Sequence, residues 1–232
     1  MTNTKISRFS GFDWASELKE IILVGVGGIG STCAINLARI GHELVICDDD
    51  RIDETNVNGG QLYKFSQIGQ YKVNAVLDNC REFGCTNSIT PIPEKYNVQD
   101  HGVTDIFITA LDNMTSRKQC YEVWKEHVNL HNNKKQCLFI DGRLSGELAE
   151  VFVIQGDKTE QFEEYEKWLF DDSEIPDIDC TVKQTFFMSM NIASLITATL
   201  CNFLTNLKLG MEIREVPFHQ KFYSASLTYG TN

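Results

Sequence analysis

The residues that decide the fold are ILVGVGGIGS, positions 22–31. They close a short apolar strand, Glu20–Val24, and open a helix expected over Ser31–Arg39; between the two, GVGGIG sets Gly25, Gly27 and Gly30 in the spacing GxGxxG. That spacing alone is a weak signal. A strand before it and a helix after it make it informative, because a turn without side chains lets backbone N–H groups and the positive end of a helix approach a phosphate closely. Gly28 lies in the same turn, and Ser31 offers a hydroxyl at the start of the helix. A second apolar strand, Glu43–Cys47, completes a βαβ unit and ends at Asp48, about where an acid would hold a ribose hydroxyl. A tight turn that binds nothing is the plainer alternative, and the flanking strand and helix argue against it.

Working outward, Tyr71–Phe83 carries Val73, Val76, Leu77 and Cys80 at helical spacing, and Ile89–Pro93 is a weak strand broken by prolines. Thr104–Thr109 is a fourth apolar strand. Arg117–Leu130 is a helix with Cys120, Val123, Trp124 and Val128 on one side, and Cys137–Ile140 is the next strand. Strands alternating with helices predict an α/β fold, a Rossmann-like, mainly parallel sheet with helices on both faces. After Asp141 the texture changes. GRLSGELAEVFVIQGD (142–157) reads as a turn feeding an antiparallel strand, and KFYSASLTYG (221–230) as a strand with Tyr223, Ala225, Leu227 and Tyr229 on one side. Antiparallel strands are therefore expected in the C-terminal part. No repeat or low-complexity linker divides the chain, so residues 1–232 are expected to form one domain.

Composition narrows the partners. A formal charge of −11 sets a repulsive field against polyanions, which disfavours nucleic acid and anionic membrane surfaces. Eight cysteines are scattered without a CxxC pair, which suits a reduced, cytoplasmic protein. The N-terminal MTNTKISRFSGFDW lacks the apolar run of a signal peptide. Phe186–Leu207 is apolar over a long run but contains Ser189, Asn191, Ser194, Thr197, Thr199 and Asn202, which would be costly facing lipid. A buried or interface helix that stops at Gly210 is expected instead.

From Asp48 the sequence runs DDDRIDETNVNGGQLYKFSQIGQYKVNAV (48–76). The spacing of Asp48, Asp50, Asn56, Gln61, Gly69 and Lys72 resembles the loop of the ThiF/MoeB and ubiquitin-activating family, roughly DxDxVxxxNLxRQ followed by GxxK. ALDNMTSR (110–117) then supplies Asp112, Asn113 and Arg117 in that family's DNxxxR order. The resemblance covers about residues 18–120; beyond Asp141 it rests on general layout.

The resemblance implies adenylation. ATP would lie on the glycine turn of Gly25, Gly27, Gly28 and Gly30 with Ser31, its ribose on Asp48 beside Asp50, its triphosphate on Asn56 and Lys72, and Mg²⁺ on Asp112 near the α-phosphate. The attacking group would be the C-terminal glycine carboxylate of a small ubiquitin-like or sulfur-carrier protein. That carboxylate is already ionised at neutral pH, so positioning and charge neutralisation carry the catalysis and no general base is needed. A lysine suits the point-charge task of reaching back over a phosphate chain. A homodimer is implied as well, with Phe186–Leu207 among the candidates for its interface.

One departure matters. The family's arginine falls on Gly59, with Gly60 next and Gln61 one place late. Arg51, Arg8 and Arg143 are the candidates to replace the missing cation. Cys180, in IPDIDCTVKQT, is a candidate acceptor of the activated carbonyl, although Asp177 and Asp179 beside it oppose thiolate formation. His127 and His131 in HVNLH lack the glutamate of HExxH and are expected on a solvated face, as is the acidic run EQFEEYEKW (160–168). The two CxxC pairs that hold zinc in many members of the family are absent, so no structural zinc is expected. Two other readings stay open: an NAD-dependent oxidoreductase, which leaves the spacing of Asn56, Lys72 and Asp112 without purpose, and a non-catalytic scaffold, for which Gly59 is the best argument.

Overall fold

The computed structural model describes residues 9–171 and 185–232. Along the chain come β1 (Glu20–Val24), α1 (Gly28–Ile40), β2 (Glu43–Cys47), α2 (Glu54–Asn58), α3 (Lys72–Glu82), β3 (Ile89–Ile92), α4 (Val98–His101), β4 (Ile106–Thr109), α5 (Met114–Leu130), β5 (Leu138–Ser145), β6 (Leu148–Gln155), α6 (Thr159–Glu166), α7 (Phe186–Leu209), β7 (His219–Tyr223) and β8 (Thr228–Thr231). The strands form a single sheet in the order β3-β2-β1-β4-β5-β6-β7-β8. Pairing is parallel from β3 to β5 and antiparallel from β5 to β8, as the two textures of the sequence predict.

Alternation along the strands sorts the core into two layers. Ile21, Leu23, Leu44, Ile46, Ile106 and Ile108 join an aliphatic cluster with side chains of α1, α3 and α7. Ile22, Val24, Phe107, Phe139 and Phe152 join an aromatic one with Tyr121 and Trp124 of α5 and Tyr165 of α6. Trp124 stacks on Phe162 at 5.6 Å, and Tyr121 meets Tyr165 edge-on at 4.9 Å. Each fully buried large side chain contributes about 1.5–3 kcal/mol, so both faces of the sheet are anchored, and its two rims of loops are left for binding.

α7 is long and apolar enough to cross a membrane. Here Met188, Ile192, Ile196, Leu200 and Leu204 are buried in the aliphatic layer, and the helix ends at Gly210 with left-handed φ, as expected. Its exposed apolar residues are Phe186, Phe187 and Met190 in the first turns and Leu209 at the last.

Two readings of the C-terminal part are corrected. KFYSASLTYG is a hairpin, not one strand: β7 ends at Tyr223, the Leu227 N–H returns to the Ser224 carbonyl at 3.3 Å, and β8 begins at Thr228. The alternation of Tyr223, Leu227 and Tyr229 marks no buried face, since all three are exposed. EQFEEYEKW is not a plain solvated helix either, because Tyr165 on α6 is fully buried.

Candidate functional site

β2 and β4 flank β1 on opposite sides, so the strand order reverses there, and in sheets of this kind ligands settle beyond the C-terminal ends of the strands at such a point, here β1 and β4. The glycine turn occupies that place. Gly25 has φ +85°, and a Cβ on it would lie 2.6 Å from the Ala110 carbonyl oxygen; a Cβ on Gly30 would lie 1.9 Å from the Gly25 oxygen. The turn after β1, the first turn of α1 and the loop after β4 are therefore pressed together, at distances that only missing side chains allow. Within α1 the Ser31 N–H bonds the Gly27 carbonyl at 3.0 Å. The amides before it have no acceptor inside the helix.

The loop after β2 is fastened to this turn. Asp48 Oδ2 accepts from the Val26 N–H at 2.8 Å, and its Oδ1 from the Asp50 N–H at 2.9 Å. Burial pushes the Asp48 carboxyl up; the Val26 amide, Lys72 and the Asp50 amide oppose it, and the net direction is upward. Lys72 begins α3, is 6% exposed, and holds its ammonium 2.7 Å from Asp50 Oδ2. Asn56 spends its backbone N–H and its Oδ1 on a capping box with Asp53, so its amide NH₂ is the part free for a ligand.

The loop after β4 carries Asp112, exposed, with Oδ1 accepting from Asn113 Nδ2 at 3.2 Å. Asn113 caps α5 through the Ser116 N–H at 2.8 Å. Below them Arg117 donates to the Leu111 carbonyl and to Asp141. Asp141, wholly buried at the level where β4 and β5 stop pairing, also takes Thr109 Oγ1 at 2.9 Å, Arg143 Nε at 2.6 Å and the Tyr165 hydroxyl at 3.0 Å. Burial alone would raise the Asp141 carboxyl, but Arg117 and Arg143 outweigh it and hold it below the usual carboxylate range.

Gly25, Gly27, Gly28, Gly30, Asp48, Asp50 and Lys72 thus meet in one place, with Asp112 on the loop whose Ala110 abuts Gly25. The Ser31 hydroxyl turns inward to the Gly28 carbonyl at 3.4 Å and is fully buried, so it does not face a ligand. Of the arginine candidates, Arg143 is committed to Asp141 and to the Trp168 carbonyl. Arg51 is exposed, bonded to the Gly69 carbonyl at 2.7 Å and stacked 3.8 Å over Tyr71. Arg8 and Cys180 lie outside the described residues. A Cβ on Gly59 would lie 2.7 Å from the Thr55 carbonyl oxygen, so the departure from the family motif is built into the backbone.

Sequence reasoning undervalued Gln61 and missed Tyr63. The Gln61 carboxamide reaches within 4.0 Å of a Cβ position on Gly27, and its buried Oε1 has no partner. Tyr63 donates its hydroxyl to the Val26 carbonyl. The family spacing marks Gln61, displaced by one residue; nothing in the sequence marks Tyr63.

Sheet order and glycine turn define the class, a Rossmann-like nucleotide-binding fold. Within that class the chain belongs to the ThiF family, whose model matches residues 11–230. It is 30% identical over 160 residues to SUMO-activating enzyme subunit 2 of Dictyostelium discoideum, across 66% of this chain and 23% of that one. It is 30% identical over 121 residues to a probable molybdopterin-synthase adenylyltransferase of Gracilaria tenuistipitata var. liui, across 47% of this chain and 33% of that one. The chain therefore spans a third or less of the length of these curated relatives. Escherichia coli MccB, solved with ATP, superposes with a TM-score of 0.71 over 95% of this chain and 65% of its own at 17% identity, a likeness of fold.

Proposed function

We propose that the protein adenylates a carboxylate at the expense of ATP, and that the carboxylate is the C-terminal glycine of a small ubiquitin-like or sulfur-carrier protein. One observation carries the reading: the loops after β1, β2 and β4 are fastened to one another, Val26 to Asp48 and Gly25 against Ala110, which gathers the first amides of α1, Asp48 and its neighbour Lys72 at one rim, with Asp112 on the adjoining loop. The names of relatives across the family support the class of reaction.

The residues fit ATP. Asp48 keeps its place by accepting backbone amides and can take ribose hydroxyls as further donors, while the amides of α1 face the phosphates. Asp48, Asp49 and Asp50 bring carboxylate oxygens within 4.8 Å of one another, and Lys72 is already paired with Asp50. A triphosphate adds more negative charge, so the site fits a divalent cation, and Asp112 is the residue to hold it. Mg²⁺ held there would supply charge neutralisation to the phosphates. The acceptor's carboxylate oxygen forms a bond to the α-phosphorus, the bond to the bridging oxygen breaks, and pyrophosphate leaves. No proton moves. Lys72 exchanges Asp50 for a phosphate oxygen, and Gln61, with its unpaired Oε1, lines the approach to the turn. If the protein forms a homodimer, the exposed apolar residues of the first turns of α7, Phe186, Phe187 and Met190, are among the candidates for its interface, since Met188, Ile192, Ile196, Leu200 and Leu204 are spent on the core.

The test is ATP–pyrophosphate exchange in the presence of a panel of small proteins ending in Gly-Gly. At least one should stimulate exchange, and Asp112→Ala should abolish it. Carrier binding without exchange would make the protein a scaffold, and affinity for NADH in place of Mg-ATP would make it an oxidoreductase; either result overturns the proposal.

A further inference from the structure

The proposed nucleotide site sits on one rim of the sheet. On the opposite rim, Asp105 immediately precedes β4 and Cys137 immediately precedes β5. There they meet His127 and His131, one helical turn apart at the C-terminal end of α5. HVNLH is therefore not a solvated face: the two imidazoles are about three-quarters covered, at 23% and 25% exposed, and Cys137 is fully buried. One ligand atom from each of the four residues lies within 4.8 Å of all the others. Asp105 Oδ1 is 2.8 Å from His127 Nε2, 3.2 Å from His131 Nε2 and 4.0 Å from Cys137 Sγ.

We propose that Asp105, His127, His131 and Cys137 form a zinc site that ties the end of α5 to the starts of β4 and β5. Two imidazoles, a carboxylate and a thiolate are borderline-soft donors of the kind Zn²⁺ takes, and four of them close a tetrahedron. Bonds of about 2.0–2.3 Å place the donors of a tetrahedral zinc about 3.3–3.8 Å apart. The two short carboxylate–imidazole distances must open slightly and the thiol must close in. Carboxylate and thiolate together cancel the charge of the ion.

The backbone around the ligands is already held. The Leu138 N–H and Trp124 Nε1 both bond the Asp105 carbonyl, at 2.8 and 3.1 Å, and the Gly156 N–H bonds the Cys137 carbonyl at 2.9 Å. Such surrounding bonds orient ligands before the ion arrives. The hydrogen bond between His127 and Asp105 and the close approach of His131 to the same carboxylate account for three of the four residues without a metal; they do not explain a buried thiol aimed at the same oxygen. Binding forms a zinc–sulfur bond and releases the Cys137 thiol proton to water. It also changes one existing contact. His131 Nδ1 accepts from the Asn133 N–H at 3.1 Å; with Nε2 on zinc, Nδ1 carries the ring proton and that bond opens.

The full chain is stripped with a chelator and titrated with Zn²⁺ and, separately, with Co²⁺. Expected are a stoichiometric zinc, a rise in melting temperature, and a cobalt spectrum with a thiolate charge-transfer band that Cys137→Ser removes. His131→Gln, at the partly exposed helix end, should weaken zinc binding by more than the roughly 10–100-fold that losing an outer partner costs, and it reads the same site if the cysteine variant fails to fold. Pyrophosphate exchange lies at the other rim and is not the readout, so its failure and the failure of the zinc site are separate results. A chain that takes up no stoichiometric zinc and melts unchanged at saturating Zn²⁺ overturns the proposal. So does a cobalt complex with no thiolate band in the parent.

Discussion

Asp48 and Asp141 both stand at the C-terminal rim, Asp48 just past β2 and Asp141 where β5 leaves its parallel partner, yet their surroundings push their carboxyls in opposite directions. Asp48 is held by two backbone amides and shares its cation, Lys72, with Asp50, so burial wins and protonation becomes easier. Asp141 is sealed between two guanidinium groups and two hydroxyls, so charge pairing wins and the carboxylate persists. The difference separates a residue left ready for a ligand from one that has all its partners already. It also predicts that damage in the two regions will look different: stability in the β5 region, chemistry in the β1–β4 region.

The largest effect is expected at Asp141. Asp141→Ala leaves Arg117 and Arg143 buried without a counter-charge, and breaking a buried pair in this way costs about 3–5 kcal/mol. Arg117 also holds the Leu111 carbonyl next to Asp112, so the loop after β4 should loosen with it. Urea denaturation of the variant measures the loss. A change below about 1 kcal/mol would mean that the ion cluster does not support the fold and that the contrast with Asp48 is mistaken.

Lys72→Met should do the reverse. It removes the site's buried ammonium, and deleting one group that stabilises developing charge typically lowers a rate by about 10²–10³-fold. Asp50, its partner, is exposed and returns to water, so the melting temperature should move little. Loss of fold alongside loss of exchange would show Lys72 to be structural and blur the division between the regions.

The same division explains what was legible beforehand. β1, the glycine turn, α1 and β2 are written in contiguous residues, apolar runs and glycines with local causes, and their boundaries agree with the structure to within a few residues. Asp48, Asp50 and Lys72 were legible through spacing on one loop. The Asp141 cluster was not, because Thr109, Arg117, Arg143 and Tyr165 come from β4, α5, β5 and α6, and no local pattern announces which charges a sheet will bury together. Arg143 therefore looked like a free cation. HVNLH was visible as a pair, but Asp105 and Cys137 reach it only through the pairing of β4 with β5. KFYSASLTYG misled because a hairpin with a short polar turn alternates much as a strand does.

The smallest expected effect is the sharpest on the comparison, because pH acts on both aspartates at once. Asp48 has a raised carboxyl in the folded state, so its protonation favours the fold at low pH, and that contribution is lost as pH rises through the folded value. Asp141 is lowered, so its contribution is present above the ordinary unfolded value, about 3.9, and is lost only as pH falls through a lower folded value. On descending from neutral pH, Asp48 should take up its proton first, losing the negative charge that would hold a ribose, while Asp141 still keeps the β5 region intact. ATP affinity should therefore weaken as pH falls, before the melting temperature begins to fall, and Asp48→Asn should bind weakly with no such acid limb. Affinity and melting temperature falling together would place both carboxylates in the same environment, which the hydrogen bonds around them contradict.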